Sequence, residues 1–335
     1  MSFLRGAVLT SFVACVLLLA LQERPAVGDA RPAGAAAAAP PLASPAAPRP
    51  LVALADMHGS LDVALESLRL AGVVDSSRHW CGGATVLVQT GDLVDRGADS
   101  VGTVKLFLRL KAEAEAAGGH VHLLIGNHEA WALSGVADYV ASSELRRVGG
   151  RRGWAALFGP AGKLGRSIQA HHEAAVVAGE GRCRTLFVHA GLPASLIPPG
   201  GSGSAVSLAN ARLATALAEH HGPNLEASDP GLFGANGPFW TRVPSTGSTR
   251  AACAHVDAAL SATGAARMVV GHTVQEKGAR TRCGGRLVLL DTGASYYDRP
   301  TAWGCSEESG AAVVTRAGTR AMPLKSDKQG PDLAA

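Results

Sequence analysis

The chain has 335 residues, of which 47% are hydrophobic and 17% charged, enough for one large globular domain or two modest ones. Its net charge is +4, but Arg5, Arg24, Arg31 and Arg49 against Glu23 and Asp29 carry half of that, leaving about +2 for everything after residue 50. So weak a surplus, with only 4% aromatic residues, excludes both the basic footprint and the stacking platforms of a nucleic-acid binder.

The chain opens as a targeting segment. "MSFLR" carries one arginine, "GAVLTSFVACVLLLAL" is apolar, and small residues follow near Gly28. This is the layout of a secretory signal peptide over 1–28. The apolar run is short for a spanning helix, and an uncleaved anchor or an organelle transit peptide fits the same residues. The expectation is entry into the secretory pathway, with membrane tethering or a chloroplast or mitochondrial address as alternatives. Residues 29–49 are a Pro/Ala-rich linker with almost nothing to bury. The folded domain is expected over 50–325, with a disordered tail over 326–335.

Within the domain, apolar runs alternate with helical spacing. "PLVALA" (50–55) reads as a strand ending at "DMHG", and 61–72 as a helix stopped by glycine. "ATVLVQT" (84–90) is a strand ending at "GDLVDRG", 100–119 an amphipathic helix, and "HVHLLI" (120–125) a strand ending at "GNHEA". Further strands are expected over 184–188 before "HAG", over 266–270 before "GHT", and over 286–290 before "DTGASYYD". The stretches 138–183 and 195–240 are less regular and read as helices and loops capping a site. An α/β class follows. In such sheets ligands bind beyond the carboxyl ends of strands, so five or six Gly-flanked polar clusters converge on one rim.

Five cysteines follow the targeting segment: Cys81, Cys183, Cys253, Cys283 and Cys305. No C-x-x-C pair occurs, which leaves one or two disulfides with a thiol left over, or five free thiols.

The strand-exit clusters supply Asp56, His58, Asp92, Asn127, His189 and His272. Carboxylate, imidazole and amide suit a borderline divalent cation, and the lack of thiolate argues against a structural zinc site. A single carboxylate such as Asp92 can bridge two ions. The fork of Arg96 matches a phosphate.

The motifs "DMHG" (56–59), "GDLVDRG" (91–97), "GNHE" (126–129), "HAG" (189–191) and "GHT" (271–273) resemble, in order, those of the phosphoprotein phosphatase (PPP) branch of metallophosphoesterases. "GPFWTR" (237–242), the stretch "CGGATVLVQTGDLVDRG" and the lack of a "SAPNYC"-type motif resemble its bacterial-like branch, and within it the Shewanella-like phosphatases. The resemblance implies a calcineurin-like sandwich of two mixed β-sheets flanked by helices. It implies two divalent metal ions, Mn²⁺, Fe²⁺/Fe³⁺ or Zn²⁺. Asp56, His58 and Asp92 would hold the first, and Asp92, Asn127, His189 and His272 the second. His128 would be the general acid, Asp95 its orienting partner, and Arg96 with Arg242 the phosphate clamp. The implied activity is hydrolysis of a phosphorylated protein, on Ser/Thr or Tyr, by direct attack of a dimetal-bridging hydroxide. A dinucleoside-tetraphosphate or nucleotide hydrolase shares these motifs, and an inactive phosphate-binding scaffold is a third reading.

Two positions depart from the family pattern: Ala55 and Ala190 each stand where glycine is usual and add a methyl beside the site. Trp240 fits either core packing or a site wall. Tyr296 and Tyr297 are candidates for the cleft edge. His120, His122, His171, His172, His220, His221 and His255 read as packed or solvated, and "RRVGGRR" (146–152) as a solvated charge run.

Overall fold

In this computed structural model the described residues are 49–199, 204–219 and 225–324. The targeting segment, the linker before residue 49 and the tail from 326 lie outside them. Twelve strands are described: β1 (Leu51–Leu54), β2 (Val86–Gln89), β3 (His120–Leu124), β4 (His172–Glu173), β5 (Ala175–Ala178), β6 (Thr185–Val188), β7 (Arg267–Val270), β8 (Arg280–Arg282), β9 (Leu287–Leu289), β10 (Thr301–Ser306), β11 (Gly310–Thr315) and β12 (Gly318–Ala321). The helices are α1 (Leu61–Leu70), α2 (Ser100–Ala116), α3 (Asn127–Leu133), α4 (Ser142–Val148), α5 (Gly150–Phe158), α6 (Lys163–His171), α7 (Ser204–Glu219), α8 (Pro230–Phe233), α9 (Val243–Thr246), α10 (Thr249–Thr263) and α11 (Ala294–Tyr297).

The strands form two mixed sheets. One has seven strands in the order β12-β11-β10-β1-β2-β3-β4, the other five in the order β5-β6-β7-β9-β8. β1 to β4 run parallel, as do β6, β7 and β9, while antiparallel strands flank each parallel set. β1, "LVAL", is buried at all four positions, as a strand covered on both faces must be. Leu51 and Ala53 join Val88, Leu124, Phe187, Val269, Val288 and Trp303 in the core between the sheets. Val52 and Leu54 face the other way, into a core shared with Leu65, Leu68, Phe107 and Leu110 of α1 and α2.

The sequence-derived strand ends agree within one or two residues. α1 and α2 end sooner than periodicity suggests, and α2 begins on its own cap, with the Asp99 side chain accepting from Gly102 N–H. The β10–β12 meander, an antiparallel flank, was not foreseen. Two disulfides join described residues to one another: Cys183–Cys305, across 122 residues, and Cys253–Cys283, across 30. In the chain-entropy limit they contribute about 5 and about 4 kcal/mol. The leftover thiol does not occur, since Cys81 is disulfide-bonded as well and no free cysteine remains among the described residues.

Candidate metal centre

Six parallel strands end at one rim, and each exit delivers a side chain that the fold hides from water. Asp56 and His58 follow β1, Asp92 follows β2, Asn127 and His128 open α3 after β3, His189 follows β6, and His272 follows β7. All are at most 8% exposed. Asp291, beyond β9, completes the ring and is buried too.

The loops that hold them are stitched to one another. Met57 and His58 N–H both donate to the Asp92 carbonyl, at 3.0 and 2.9 Å, and Gly59 N–H to that of Leu93 at 2.8 Å. The loop after β2 wraps the Glu129 carboxylate, which accepts from the N–H groups of Asp92, Leu93 and Gly126 at 2.7–2.8 Å. Four site residues outside glycine, His58, Asp92, Asp95 and Arg96, hold φ between +42° and +71°, and His272 holds +64°. Such conformations cost free energy and persist where neighbours over-determine them. Gly91 shows how tight the crossing is. Its φ is +104°, and a Cβ there would come 2.8 Å from both Gly126 N and His189 Nδ1.

Asp92 is the hub. Its Oδ2 lies 3.5 Å from His189 Nε2, 3.7 Å from His58 Nε2 and 4.0 Å from His128 Nε2. Two groups of ligand-type atoms each fall within 4.8 Å of one another: His58, Asp92 and His128, and Asp92, His189 and His272. Asn127 Oδ1 joins the second, 3.1 Å from His189 Nε2 and 2.9 Å from His272 Nδ1. Asp56 Oδ2 sits 3.9 Å from His58 Nε2, and both its oxygens accept from His272 N–H. The first group thus contains His128 where the sequence suggested Asp56.

Three imidazoles share one anchoring pattern. His58 Nδ1–H donates to Val94 O at 3.0 Å, His189 Nδ1–H to Thr90 O at 2.8 Å, and His272 Nε2–H to Trp240 O at 3.1 Å. A carbonyl on one ring nitrogen orients the ring and turns the other nitrogen toward the centre, the arrangement metal-binding histidines need. Electrostatics point the same way. Burial pushes Asp56 well above the usual carboxylate range, with Asp291 and Asp92 adding to it, and raises Asp291 to about 6 and Glu129 to about 7. Burial also opposes charge on Asp92, but His189, His128 and His58 outweigh it and hold that carboxyl low. At His189, burial pulls down while Asp92 and Asp56 pull up to about 10. A pocket that forces charge onto a buried imidazole is one that fits a cation. Burial lowers His58 and His272 to about 3, so both are neutral, as ligands must be.

Around this centre lie groups suited to an anion and its leaving group. His128 Nδ1 is 2.7 Å from Asp95 Oδ2, so Nε2 is the nitrogen turned to the centre. Arg96 Nη1 donates to His58 Nε2 at 2.6 Å. Arg242, at the start of α9, donates to Thr273 Oγ1 at 2.9 Å beside His272. Trp240 forms a wall, 4.9 Å from Trp131 and 5.8 Å from His272 between ring centres. Tyr139 stacks on Trp131 at 4.5 Å and stands 5.4 Å from His128. The Arg96 guanidinium lies over the Tyr296 ring at 5.2 Å, while Arg299 lies over Tyr297. The departures at Ala55 and Ala190 are accommodated: both methyls are buried, and Ala190 N–H donates to Pro238 O at 2.9 Å.

His120 and His122 stay away from the centre, their rings 4.3 Å apart at the start of β3 and His122 paired with Glu173 at 2.7 Å. "RRVGGRR" divides between the end of α4 and the start of α5, with Arg147 on Asp99 and Arg151 on Asp138. Glu129 and Asp291 were not singled out from sequence. Their signals were the acid at the third position of α3 and a "DTG" at a sixth strand exit.

The family model described as calcineurin-like phosphoesterase matches residues 49–276. The chain is 27% identical over 315 residues to Shewanella-like protein phosphatase 2 of Arabidopsis thaliana, covering 80% of this chain and 78% of that one. It is 30% identical over 283 residues to an uncharacterized protein of Schizosaccharomyces pombe, covering 80% and 77%. A mutant cold-active protein tyrosine phosphatase superposes with a TM-score of 0.70 at 25% identity, covering 82% of this chain and 80% of that one.

Proposed function

This chain belongs to the calcineurin-like phosphoesterases, and from that premise we propose that it is a metal-dependent phosphatase that hydrolyses phosphate monoesters on proteins, with phosphotyrosine its favoured ester. The observation that carries the reading is the hub at Asp92, where carbonyl-anchored imidazoles and buried carboxylates share one centre.

Asp56, His58, Asp92, Asn127, His189 and His272 would hold two divalent ions. When bound, these supply Lewis acidity and a water nucleophile at neutral pH. The chain's own residues do the rest. Arg96 and Arg242 bind the phosphoryl oxygens, which are better acceptors for a guanidinium than the imidazole and hydroxyl they contact here. Asp95 accepts from His128 Nδ1–H and fixes the ring, and His128 Nε2–H protonates the departing oxygen.

The tyrosine preference rests on the rim. Large apolar side chains exposed among the described residues are few, and Tyr139 at 47% and Tyr296 at 56% both stand at this cleft. The stacked Trp131–Tyr139 pair offers a rigid face to an aromatic leaving group. The test is a parallel assay of residues 50–335 with added Mn²⁺ on a phosphotyrosine peptide, a phosphoserine peptide and diadenosine tetraphosphate. The tyrosine peptide is expected to turn over fastest. Turnover of the dinucleotide alone would sink the protein-phosphatase reading, and serine ahead of tyrosine would sink the preference.

A further inference from the structure

α4 carries an acid that the chemistry above does not use. Glu144 is fully buried, a position a carboxylate keeps only when its oxygens are satisfied. One oxygen accepts from Ser100 Oγ–H at 2.6 Å. The other accepts from Val101 N–H at 3.2 Å and from the Arg147 guanidinium at 3.3 Å. Ser100 is buried as well and has a single hydroxyl proton. Because that proton goes to Glu144, the oxygen is left as an acceptor, and Asp95 N–H donates to it at 3.0 Å. Asp95 then meets His128 Nδ1 at 2.7 Å. A continuous chain of hydrogen bonds therefore runs from α4 to the imidazole.

The turn it braces is a strained one. Asp95 has φ +71° and Arg96 φ +65°, a region that side-chain-bearing residues rarely adopt. The Asp95 carboxylate has one oxygen on His128, while the other, Oδ1, is buried without a hydrogen-bond partner. Its location is therefore set by its backbone, whose N–H is held by Ser100, while Gly97 N–H donates to its carbonyl at 2.7 Å and Arg96 N–H to Tyr139 O at 2.8 Å.

We propose that Ser100 and Glu144 are positioning residues for proton donation: they fix Asp95, and through it the angle at which His128 meets the leaving oxygen. The inference rests on the phosphatase reading, and the experiment separates the two. A good leaving group departs without a proton and a poor one needs it. Wild type, Ser100→Ala, Glu144→Gln and His128→Ala are assayed with Mn²⁺ on phenyl phosphate, a poor leaver, and 2,4-dinitrophenyl phosphate, a good one. His128→Ala sets the largest asymmetry attainable. Ser100→Ala is expected to lose ~10-fold or more in kcat/KM on phenyl phosphate and under ~3-fold on the dinitrophenyl ester, a part of the ~10²–10⁴ that general acids supply. Glu144→Gln, which keeps the shape and one acceptor, shows the same asymmetry at smaller size. Equal losses on both esters, with a lowered melting midpoint, would make the pair merely structural and overturn the proposal, as would no loss on either. Should Ser100→Ala not fold, Glu144→Gln decides by the same ratio. A wild type that cleaves neither ester fails at the earlier step and takes the phosphatase reading with it.

Discussion

Two buried histidines respond to the protein in opposite ways. His189, beyond β6, is held up at about 10, whereas His172, in the edge strand β4, is pushed down to about 3. Burial drives both downward. At His189 the carboxylates of Asp92 and Asp56 overturn it, while at His172 the nearby charges of His171 and Lys111 add to it, the Ile168 carbonyl opposes it too weakly to matter, and no carboxylate acts on the ring. Burial away from carboxylates therefore keeps an imidazole neutral, whereas beside Asp92 and Asp56 it demands a positive charge at His189. Asp56, Asp291 and Glu129 are all raised, by burial first and by neighbouring carboxylates after it, so their ionised forms carry a cost that bound cations relieve.

That contrast can be tested from its strongest consequence downward. Chelation of divalent ions should reduce hydrolysis to background and lower the melting midpoint, and added Mn²⁺ should restore both. Persistence of activity in the chelated protein would remove the basis of the contrast. Next, Asp92→Asn should cost at least ~10³ in kcat/KM, the value of several kcal/mol of charge stabilisation, and should reduce bound metal measured by elemental analysis. Full activity in that variant would refute the mechanism.

The third test is pH. His189 has a folded pKa above its unfolded value of 6.5, so its contribution to stability is complete below 6.5 and disappears as pH rises through about 10. The melting midpoint of the metal-free protein should accordingly fall between pH 7 and pH 10. Metal requires the neutral ring, so the loaded protein should lack this slope, and equal slopes in both forms would contradict the comparison. The smallest effect belongs to the other histidine. His172 has a depressed folded pKa, so stability is full above 6.5 and lost as pH falls toward about 3. His172→Leu should abolish that acid loss, stabilise by about 1–3 kcal/mol at neutral pH by removing weakly partnered nitrogens, and leave kcat/KM within ~2-fold. A large loss of activity would mean that β4 and the rim are coupled after all.

The rim was legible in the sequence because its chemistry fixes residue type and place together. Strands must be apolar to be buried, and a ligand must stand just beyond the strand end, so "GDLVDRG" and "GNHE" announce both. Glu144 shows the limit. In "SSELRRV" it looks like one acid on a solvated helix, and its burial depends on Ser100, 44 residues earlier, which only the folded chain brings near. Cysteine pairing was equally opaque, because Cys183 and Cys305 meet through the stacking of two sheets. The meander escaped because "TAWGCS" and "GAAVVT" are rich in small residues and carry little alternation.

The Cys183–Cys305 bridge has a mechanical consequence. Cys305 stands opposite Leu51, the first residue of β1, and Cys183 just precedes β6, so the link lies at the end of the sandwich away from Asp92. The molecule is bound like a book along its spine. Any breathing that parts the two sheets must open them at the fore-edge, where the carboxylates and histidines of both leaves face each other and where a phosphoester would enter.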